Sequence, residues 1–255
     1  MQCVVFDMDG VLFDSEALVL QCWEQTAKLH GIPEIQEICH RCLGSNADMA
    51  RQMFLEKYGA DFPYDTYKAE MSAKYWENVE AGRLELKSGV REMLTALRAH
   101  GWKTGIASST RAMIVRKEMQ HFGLEQMFDQ IIGGDMVQHS KPNPEIYQTA
   151  CRELGVLPAE AYAVEDSYNG IRSAAAAGMQ AIMIPDLLPP TPEMEQLAMK
   201  LRQKCQLQSL SNKKRDYYET IGTRLQNLGM PEVQHFLCDY APSFLLSLDD
   251  MNTES

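Results

Sequence analysis

The apolar residues of this chain follow a helical spacing in one part and a strand spacing in another. From about residue 16 to about residue 85 they recur every three or four positions, as in amphipathic helices. Four helices are expected there, and the second runs towards Leu43. The inward positions are Leu18, Cys22, Thr26 and Leu29 in the first helix, Ala50, Met53, Phe54 and Tyr58 in the third, and Tyr64, Tyr67, Met71, Tyr75 and Val79 in the fourth. Since no convincing strand interrupts them, this part is predicted to be all-helical.

Short apolar runs alternate with helical stretches in the next part of the chain. Together with an N-terminal run, they predict five strands, at residues 4–6, 103–108, 130–134, 161–165 and 180–184. Ser88 is expected to cap the helix before the second strand, and Asn143 the helix before the fourth. Strands that alternate with helices indicate a parallel, doubly wound sheet. The predicted fold class is therefore α/β.

The helical part interrupts the α/β part, because it falls between the first predicted strand and the other four. The chain is accordingly expected to form an α/β core from residues 1–15 and 86–199, with an inserted helical domain at residues 16–85. Residues 200–255 form an extension without a recognisable motif, and their apolar spacing favours helix.

Composition narrows the possible partners and the compartment. The net charge of −11 argues against nucleic-acid binding, which needs a basic patch. No apolar run approaches the ~20 residues of a membrane span. Because a core strand is predicted close to the N-terminus, no signal peptide is expected. Seven cysteines with irregular spacing are typical of reduced thiols, so a cytoplasmic protein is expected. The oligomeric state stays open.

Two aspartates follow the first predicted strand directly. Asp7 and Asp9 are separated by one residue, and Gly10 then lets the backbone turn. Acids at this position lie at the carboxyl end of a sheet, where open α/β folds bind ligands. Two close carboxylates repel each other unless a cation lies between them, which suggests a Mg²⁺ site. An acidic turn without a metal is the alternative.

Three further stretches place polar residues where predicted strands give way to helices. Ser108 and Ser109 precede a helix start, whose N–H groups can bind phosphate oxygens. Lys141 lies in a rigid Pro-containing turn, and Glu165 and Asp166 end another strand. Each stretch alone could be a helix cap or a surface residue. Because the carboxyl ends of parallel strands share one edge, their coincidence with the first acidic pair favours a single site.

The segment VVFDMDGVLFDS, at residues 4–15, resembles the first motif of the haloacid dehalogenase superfamily of aspartate-dependent phosphotransferases. Ser108, Lys141 and the Glu165–Asp166 pair look like its second, third and fourth motifs, in the expected order. The resemblance covers about residues 1–199 and is greatest to the subgroup of phosphatases and β-phosphoglucomutase-like proteins. It implies a Rossmann-like core with a helical cap inserted after the first motif.

By this resemblance, Asp7 is expected to attack phosphorus and form an aspartyl-phosphate. Asp9 is expected to protonate the leaving oxygen and later to deprotonate the attacking water. The resemblance also implies that Asp7, Asp166 and the main-chain carbonyl of Asp9 bind Mg²⁺, with Glu165 as a further ligand or as a partner of the ligands.

Ser108, Ser109 and Lys141 are expected to hold the phosphoryl oxygens, and Lys141 to keep the nucleophile ionised. The loop that ends the second helix is expected to select the substrate. The residues of this loop that are candidates for contact with the substrate are Gly44, Ser45 and Asn46. Asn46 could instead cap the third helix.

The cap loop also bears on the type of reaction. The β-phosphoglucomutase-like subgroup tends to carry a lysine and an arginine there that grip a second phosphate, whereas this chain has Leu43 and Ala47. The sequence therefore favours a Mg²⁺-dependent phosphatase that acts on a small phosphorylated metabolite, such as a sugar phosphate. A sugar-phosphate mutase is the alternative within enzymes. A catalytically silent binding protein is disfavoured, because all four motifs are present.

Overall fold

The computed structural model describes residues 3–42, 45–184 and 186–199. The extension at residues 200–255 lies outside the described residues, so its helical character stays a prediction.

Five parallel strands form one sheet with the order β3-β2-β1-β4-β5. Their bounds are β1 Cys3–Phe6, β2 Lys103–Ser108, β3 Gln130–Gly133, β4 Ala161–Glu165 and β5 Gln180–Met183. The order reverses on either side of β1, as in a doubly wound Rossmann-like sheet. The predicted α/β fold class is confirmed, and each predicted strand is within one residue of its observed bounds.

The helices of the described residues follow in chain order. They are α1 Ser15–His30, α2 Ile35–Cys42, α3 Ala47–Tyr58, α4 Tyr64–Glu80, α5 Val90–Ala99, α6 Ala112–His121, α7 Glu145–Leu154, α8 Tyr168–Ala176 and α9 Pro192–Met199. Thus α1 to α5 lie between β1 and β2 in the chain, and the remaining helices connect or follow the later strands. No helix of the described residues has the length and apolar character to cross a membrane.

Both faces of the sheet are buried, because alternate residues of each strand point to opposite sides. Val4 and Phe6 of β1 belong to an apolar cluster with residues of α5 and α6. Cys3 and Val5 belong to a second cluster, with residues of α7, α8 and α9. Burial on both faces explains why the strands are short, continuous apolar runs in the sequence.

The helical part has an aromatic core of its own. The rings of Trp23 and Phe54 stack at 4.8 Å between centroids, and Tyr67 lies 5.1 Å from Trp23. The Tyr67 hydroxyl donates to the main-chain oxygen of Trp23 at 2.7 Å.

The predicted inward face of α4 is buried, but Leu29 of α1 is 70% exposed, so its predicted burial is wrong. Leu29 lies in the last turn of α1, just before the helix ends at Gly31.

Two chain segments connect the helical part to the sheet. The N–H of Asp14 donates to the oxygen of Glu85 at 3.1 Å, and the N–H of Lys87 donates to the oxygen of Leu12 at 3.0 Å. These bonds pair the outgoing and returning segments side by side. The domain bounds predicted from the sequence stay a prediction.

Helix caps were predicted with mixed success. The prediction that Ser88 caps α5 is wrong, because Ser88 is exposed and Gly89 is the N-cap. Gly89 has φ 79°, a conformation that glycine adopts more readily than other residues. Pro144 holds the N-cap position of α7, but Asn143 just before it still caps the start of the helix, since its Oδ1 accepts from the N–H of Glu145 at 3.0 Å.

Glu118 of α6 is a buried acid with an unusual environment. It is 2% exposed, and its Oε2 has no hydrogen-bond partner among the described residues. Burial, with a further contribution from the charge of Asp9, raises the pKa of Glu118 from 4.5 to about 8, although the nearby Tyr75 hydroxyl opposes the rise. Between these values the folded state binds a proton that the unfolded state lacks, so stability falls as pH rises.

Replacing Glu118 with Gln should remove this pH-dependent loss. Glu118→Gln should differ little from wild type near pH 5 and be more stable near pH 8, by roughly 1–3 kcal/mol, because an amide does not ionise in the buried site whereas the carboxyl does. Urea unfolding at the two pH values measures this difference. The exposed Glu92→Gln is the matched control and should change little at either pH. A Glu118→Gln variant that is less stable at the higher pH would contradict the assignment.

Candidate active site

Three polar residues lie at the carboxyl ends of three neighbouring strands. Ser108 is the last residue of β2, Asp7 follows β1, and Asp166 follows β4. Since the strand order is β2-β1-β4, all three are at one edge of the sheet, with Asp7 in the middle. Lys141, from the segment before α7, reaches the same place.

The Lys141 ammonium is buried between two carboxylates. Its Nζ donates to Asp7 Oδ1 at 2.6 Å, to Glu165 Oε1 at 2.6 Å and to the main-chain oxygen of Ala107 at 2.8 Å. An ammonium has three protons, so all of them are used. Burial alone would lower the pKa of Lys141, but Asp7 and Glu165 raise it, and the group stays charged.

Glu165 is fully buried and satisfied at both oxygens. Besides Lys141, its Oε1 accepts from the Tyr147 hydroxyl at 2.7 Å. Its Oε2 accepts from the N–H of Ser167 at 3.3 Å and from the Ser167 hydroxyl at 3.1 Å. Gly170 leaves room for this carboxyl, because a Cβ there would lie 1.9 Å from Oε1. The Glu165 carboxylate is therefore held rigidly and fixes the position of Lys141.

Both carboxylate oxygens of Asp9 accept hydrogen bonds from hydroxyl groups. Ser15 donates to Oδ1 at 2.6 Å, and Thr110 donates to Oδ2 at 3.2 Å. Burial raises the pKa of Asp9, although the two hydroxyls oppose that rise. A raised pKa favours the protonated form that a general acid needs.

The acidic residues at the sheet edge could bind a metal. Asp7, Glu165 and Asp166 each offer one carboxylate oxygen, and these three oxygens lie within 4.8 Å of one another. Burial raises the pKa of Asp7 to about 8, with Lys141 opposing it and Glu165 adding to it. Burial and the charges of Glu16 and Glu165 raise the pKa of Asp166 well above its usual value. A donor set of carboxylate oxygens fits Mg²⁺, whose charge would reverse these shifts.

The segment after β2 forms the other side of the site. Ser108 is 1% exposed, and its Oγ accepts from the N–H of Thr110 at 3.1 Å. Ser109, next in the chain, is half-buried. At the start of α6, the N–H of Ala112 donates to Asp135 Oδ1 at 2.8 Å, so this helix-start donor already has a partner.

Only part of the predicted substrate loop can be placed. Asn46 Oδ1 accepts from the N–H of Met49 at 2.9 Å, so Asn46 caps α3, as the alternative interpretation held. The N–H of Ser45 donates to the oxygen of Cys42 at 3.0 Å. Leu43 and Gly44 lie outside the described residues.

Sequence reasoning gave no role to four residues that contact the site, and Ser15, which binds Asp9, is the first of them. The hydroxyl of Thr110 binds Asp9, the hydroxyl of Tyr147 binds Glu165, and the hydroxyl and N–H of Ser167 bind the same carboxylate. Ser167 follows the fourth motif directly and was a detectable candidate. Nothing local in the sequence distinguishes Thr110 or Tyr147, because their partners are distant in the chain.

Removing the Tyr147 hydroxyl should weaken the fold through Glu165. Tyr147→Phe is expected to lower the free energy of unfolding by about 1.5–3 kcal/mol, the range for a hydrogen bond to a charged group. Tyr168→Phe is the matched control, since its hydroxyl donates to the neutral main-chain oxygen of Pro189 near the surface. That variant should lose only about 0.5–1 kcal/mol. Equal losses in urea unfolding would contradict a charged, buried Glu165.

Comparison with known proteins gives a family for this fold and site. Residues 4–184 match the family described as haloacid dehalogenase-like hydrolase. A phosphorylated carbohydrates phosphatase from Thermotoga maritima is 30% identical over 182 residues, which cover 71% of this chain and 84% of that protein.

Solved structures give the same result. CbbY from Rhodobacter sphaeroides, in complex with phosphate, has a TM-score of 0.65 and 27% identity, covering 73% of this chain and 87% of that one. A Thermotoga maritima protein assigned as a β-phosphoglucomutase has a TM-score of 0.61 and 26% identity, covering 80% and 99%. The predicted enzyme class, a phosphatase, is supported by these relatives. The match over most of the described residues confirms the predicted family, and the chain belongs to the haloacid dehalogenase-like hydrolases.

Proposed function

We propose that this chain is a Mg²⁺-dependent phosphatase that hydrolyses a small phosphorylated metabolite through an aspartyl-phosphate on Asp7. The observation that carries the proposal is the contact between Asp7 and the buried Lys141 ammonium at the carboxyl edge of the sheet. This contact favours an ionised and oriented carboxylate, which is what a carboxylate nucleophile requires.

Asp7 carries out the first step of the proposed reaction. Lys141 binds Oδ1, so we expect Oδ2 to attack phosphorus. A bond forms between that oxygen and phosphorus, while the bond from phosphorus to the substrate oxygen breaks. Ser108 and Ser109, at the end of β2, are proposed to hold the phosphoryl oxygens. Lys141 would contribute its charge, because its three protons already have partners.

Asp9 is proposed to move the protons. In the first step its protonated carboxyl gives a proton to the leaving oxygen. In the second step its carboxylate takes a proton from water, which attacks phosphorus and releases phosphate from Asp7. The hydroxyls of Ser15 and Thr110 hold the Asp9 carboxyl in place.

The side chains of Asp7 and Asp166, with the main-chain carbonyl of Asp9, are the proposed Mg²⁺ ligands. When bound, the ion would neutralise part of the negative charge on the phosphoryl oxygens. Glu165 also lies in this acidic group. Its four hydrogen bonds favour the role of a partner that holds Lys141 over that of a ligand.

The relatives and the cap loop support a substrate class. The Thermotoga maritima relative is a phosphatase of phosphorylated carbohydrates, so a sugar phosphate is the first candidate. The structural likeness to a protein assigned as a β-phosphoglucomutase favours a mutase as the second candidate. Leu43 and Ala47 stand where that subgroup tends to have its cationic pair, which supports transfer to water instead. With β-glucose 1-phosphate, accumulated glucose 6-phosphate would identify a mutase, and free phosphate a phosphatase.

Removing the nucleophile should abolish the reaction. Asp7→Asn should reduce release of phosphate from an aryl phosphate ester by at least ~10³-fold, because the amide cannot attack phosphorus. Asp65→Asn is the control, since the Asp65 side chain is 81% exposed on α4. Near wild-type turnover in Asp7→Asn would rule out the covalent scheme. In that case the activity could come from a contaminating enzyme, and this chain could be a silent binding protein.

Removing the metal should have the same effect without a substitution. Dialysis against EDTA should eliminate phosphate release, and excess Mg²⁺ should restore it, because the clustered carboxylates need a cation to bind an anionic substrate. Circular dichroism before and after dialysis checks that the fold is retained. Undiminished turnover in EDTA would exclude the proposed role of Mg²⁺.

A further inference from the structure

A second acidic group lies beside the first and shares one residue with it. Glu16 is in the first turn of α1, Asp166 follows β4, and Asp186 follows β5. One carboxylate oxygen from each lies within 4.8 Å of the other two. Glu16 is 5% exposed and Asp166 is 4% exposed. Three segments that are distant in the sequence therefore bring acids to one small buried volume.

Two oxygens of this group lack a partner. Glu16 Oε2 and Asp186 Oδ2 are buried and accept no hydrogen bond from any described residue. A buried carboxylate oxygen without a donor or a cation is strongly unfavourable, and such atoms are rare in folded proteins. Since both belong to residues of the same group, one cation between them would satisfy both.

The nearby positive charge does not balance the group. Lys87 Nζ lies 2.6 Å from Asp186 Oδ1 and 3.8 Å from Asp14 Oδ1, so one ammonium is divided between two acids. When all three acids of the group are ionised, the single positive charge of Lys87 leaves the group with a net negative charge.

Gly10 makes the close approach of these acids possible. It has φ 72°, and a Cβ there would lie 2.2 Å from Asp166 Oδ2 and 3.3 Å from Asp186 Oδ2. The Gly10 backbone thus borders the space between the two carboxyls, which no larger residue could leave open.

We propose that Glu16, Asp166 and Asp186 form a second divalent-cation site, next to the Asp7 group and joined to it through Asp166. Carboxylate oxygens favour hard cations such as Mg²⁺, Mn²⁺ or Ca²⁺. A cation here would link the first turn of α1 to the carboxyl edge of the sheet. The site does not depend on the reaction proposed for Asp7. A proton shared between two carboxyls would also relieve the repulsion, but it would bind no metal.

Counting bound Mn²⁺ tests the site directly. Mn²⁺ accepts the same oxygen ligands as Mg²⁺ and can be measured by equilibrium dialysis on the full chain. Wild type should bind two ions, whereas Glu16→Gln should lose one of them or bind it at least tenfold more weakly. Glu118→Gln is the matched control, because Glu118 is also a buried acid with an unpaired oxygen but is outside both groups. This variant should bind the same number as wild type.

Asp7→Asn separates this site from the proposed active-site metal. This substitution should weaken the binding of one ion and leave unchanged the binding of the ion that depends on Glu16. If the Asp7 group binds no metal, wild type should bind one ion that persists in Asp7→Asn and is lost in Glu16→Gln.

The second site is overturned if Glu16→Gln and wild type bind the same number of ions with the same dissociation constants. Should Glu16→Gln fail to fold, Asp186→Asn provides the same comparison, with the same expected loss and the same contradicting result.

Discussion

The buried ammonium of Lys141 between Asp7 and Glu165 is the interaction on which the site depends. Each charge alone would be strongly unfavourable at this depth, and losing one partner of a buried ion pair typically costs about 3–5 kcal/mol. The Lys141 protons are all used, and both Glu165 oxygens are satisfied. Asp7 is therefore held by a network whose members are themselves fixed, which is the preorganisation that catalysis requires.

The sheet supplies the positions that make this network possible. Because β2, β1 and β4 are parallel neighbours, their carboxyl ends bring residues about a hundred positions apart into contact. Apolar burial on both faces fixes the register of each strand. A shift of one residue would exchange the two buried faces of β1 and disrupt the packing of both clusters. The polar edge begins where the continuous apolar run of each strand ends.

Local patterns were enough to predict most of the fold and part of the site. Short β-branched runs located the strands, and the acids or serines at their ends located Asp7, Ser108 and Asp166. Contacts across the fold leave no such pattern, so Thr110 and Tyr147 were missed. Ser88 was mistaken for the N-cap of α5 because serine is a preferred residue at N-cap positions, whereas the backbone places Gly89 there. Resemblance, not periodicity, suggested the chemical roles.

The most direct test of the account is to look for the phosphoryl group on Asp7 itself. The full chain is mixed with an aryl phosphate ester and Mg²⁺, quenched in acid during turnover, digested, and analysed by peptide mass spectrometry. A phosphoryl group is expected on the side chain of Asp7, in the peptide that contains this residue. Turnover with a phosphoryl group on another residue, or on none, would contradict it.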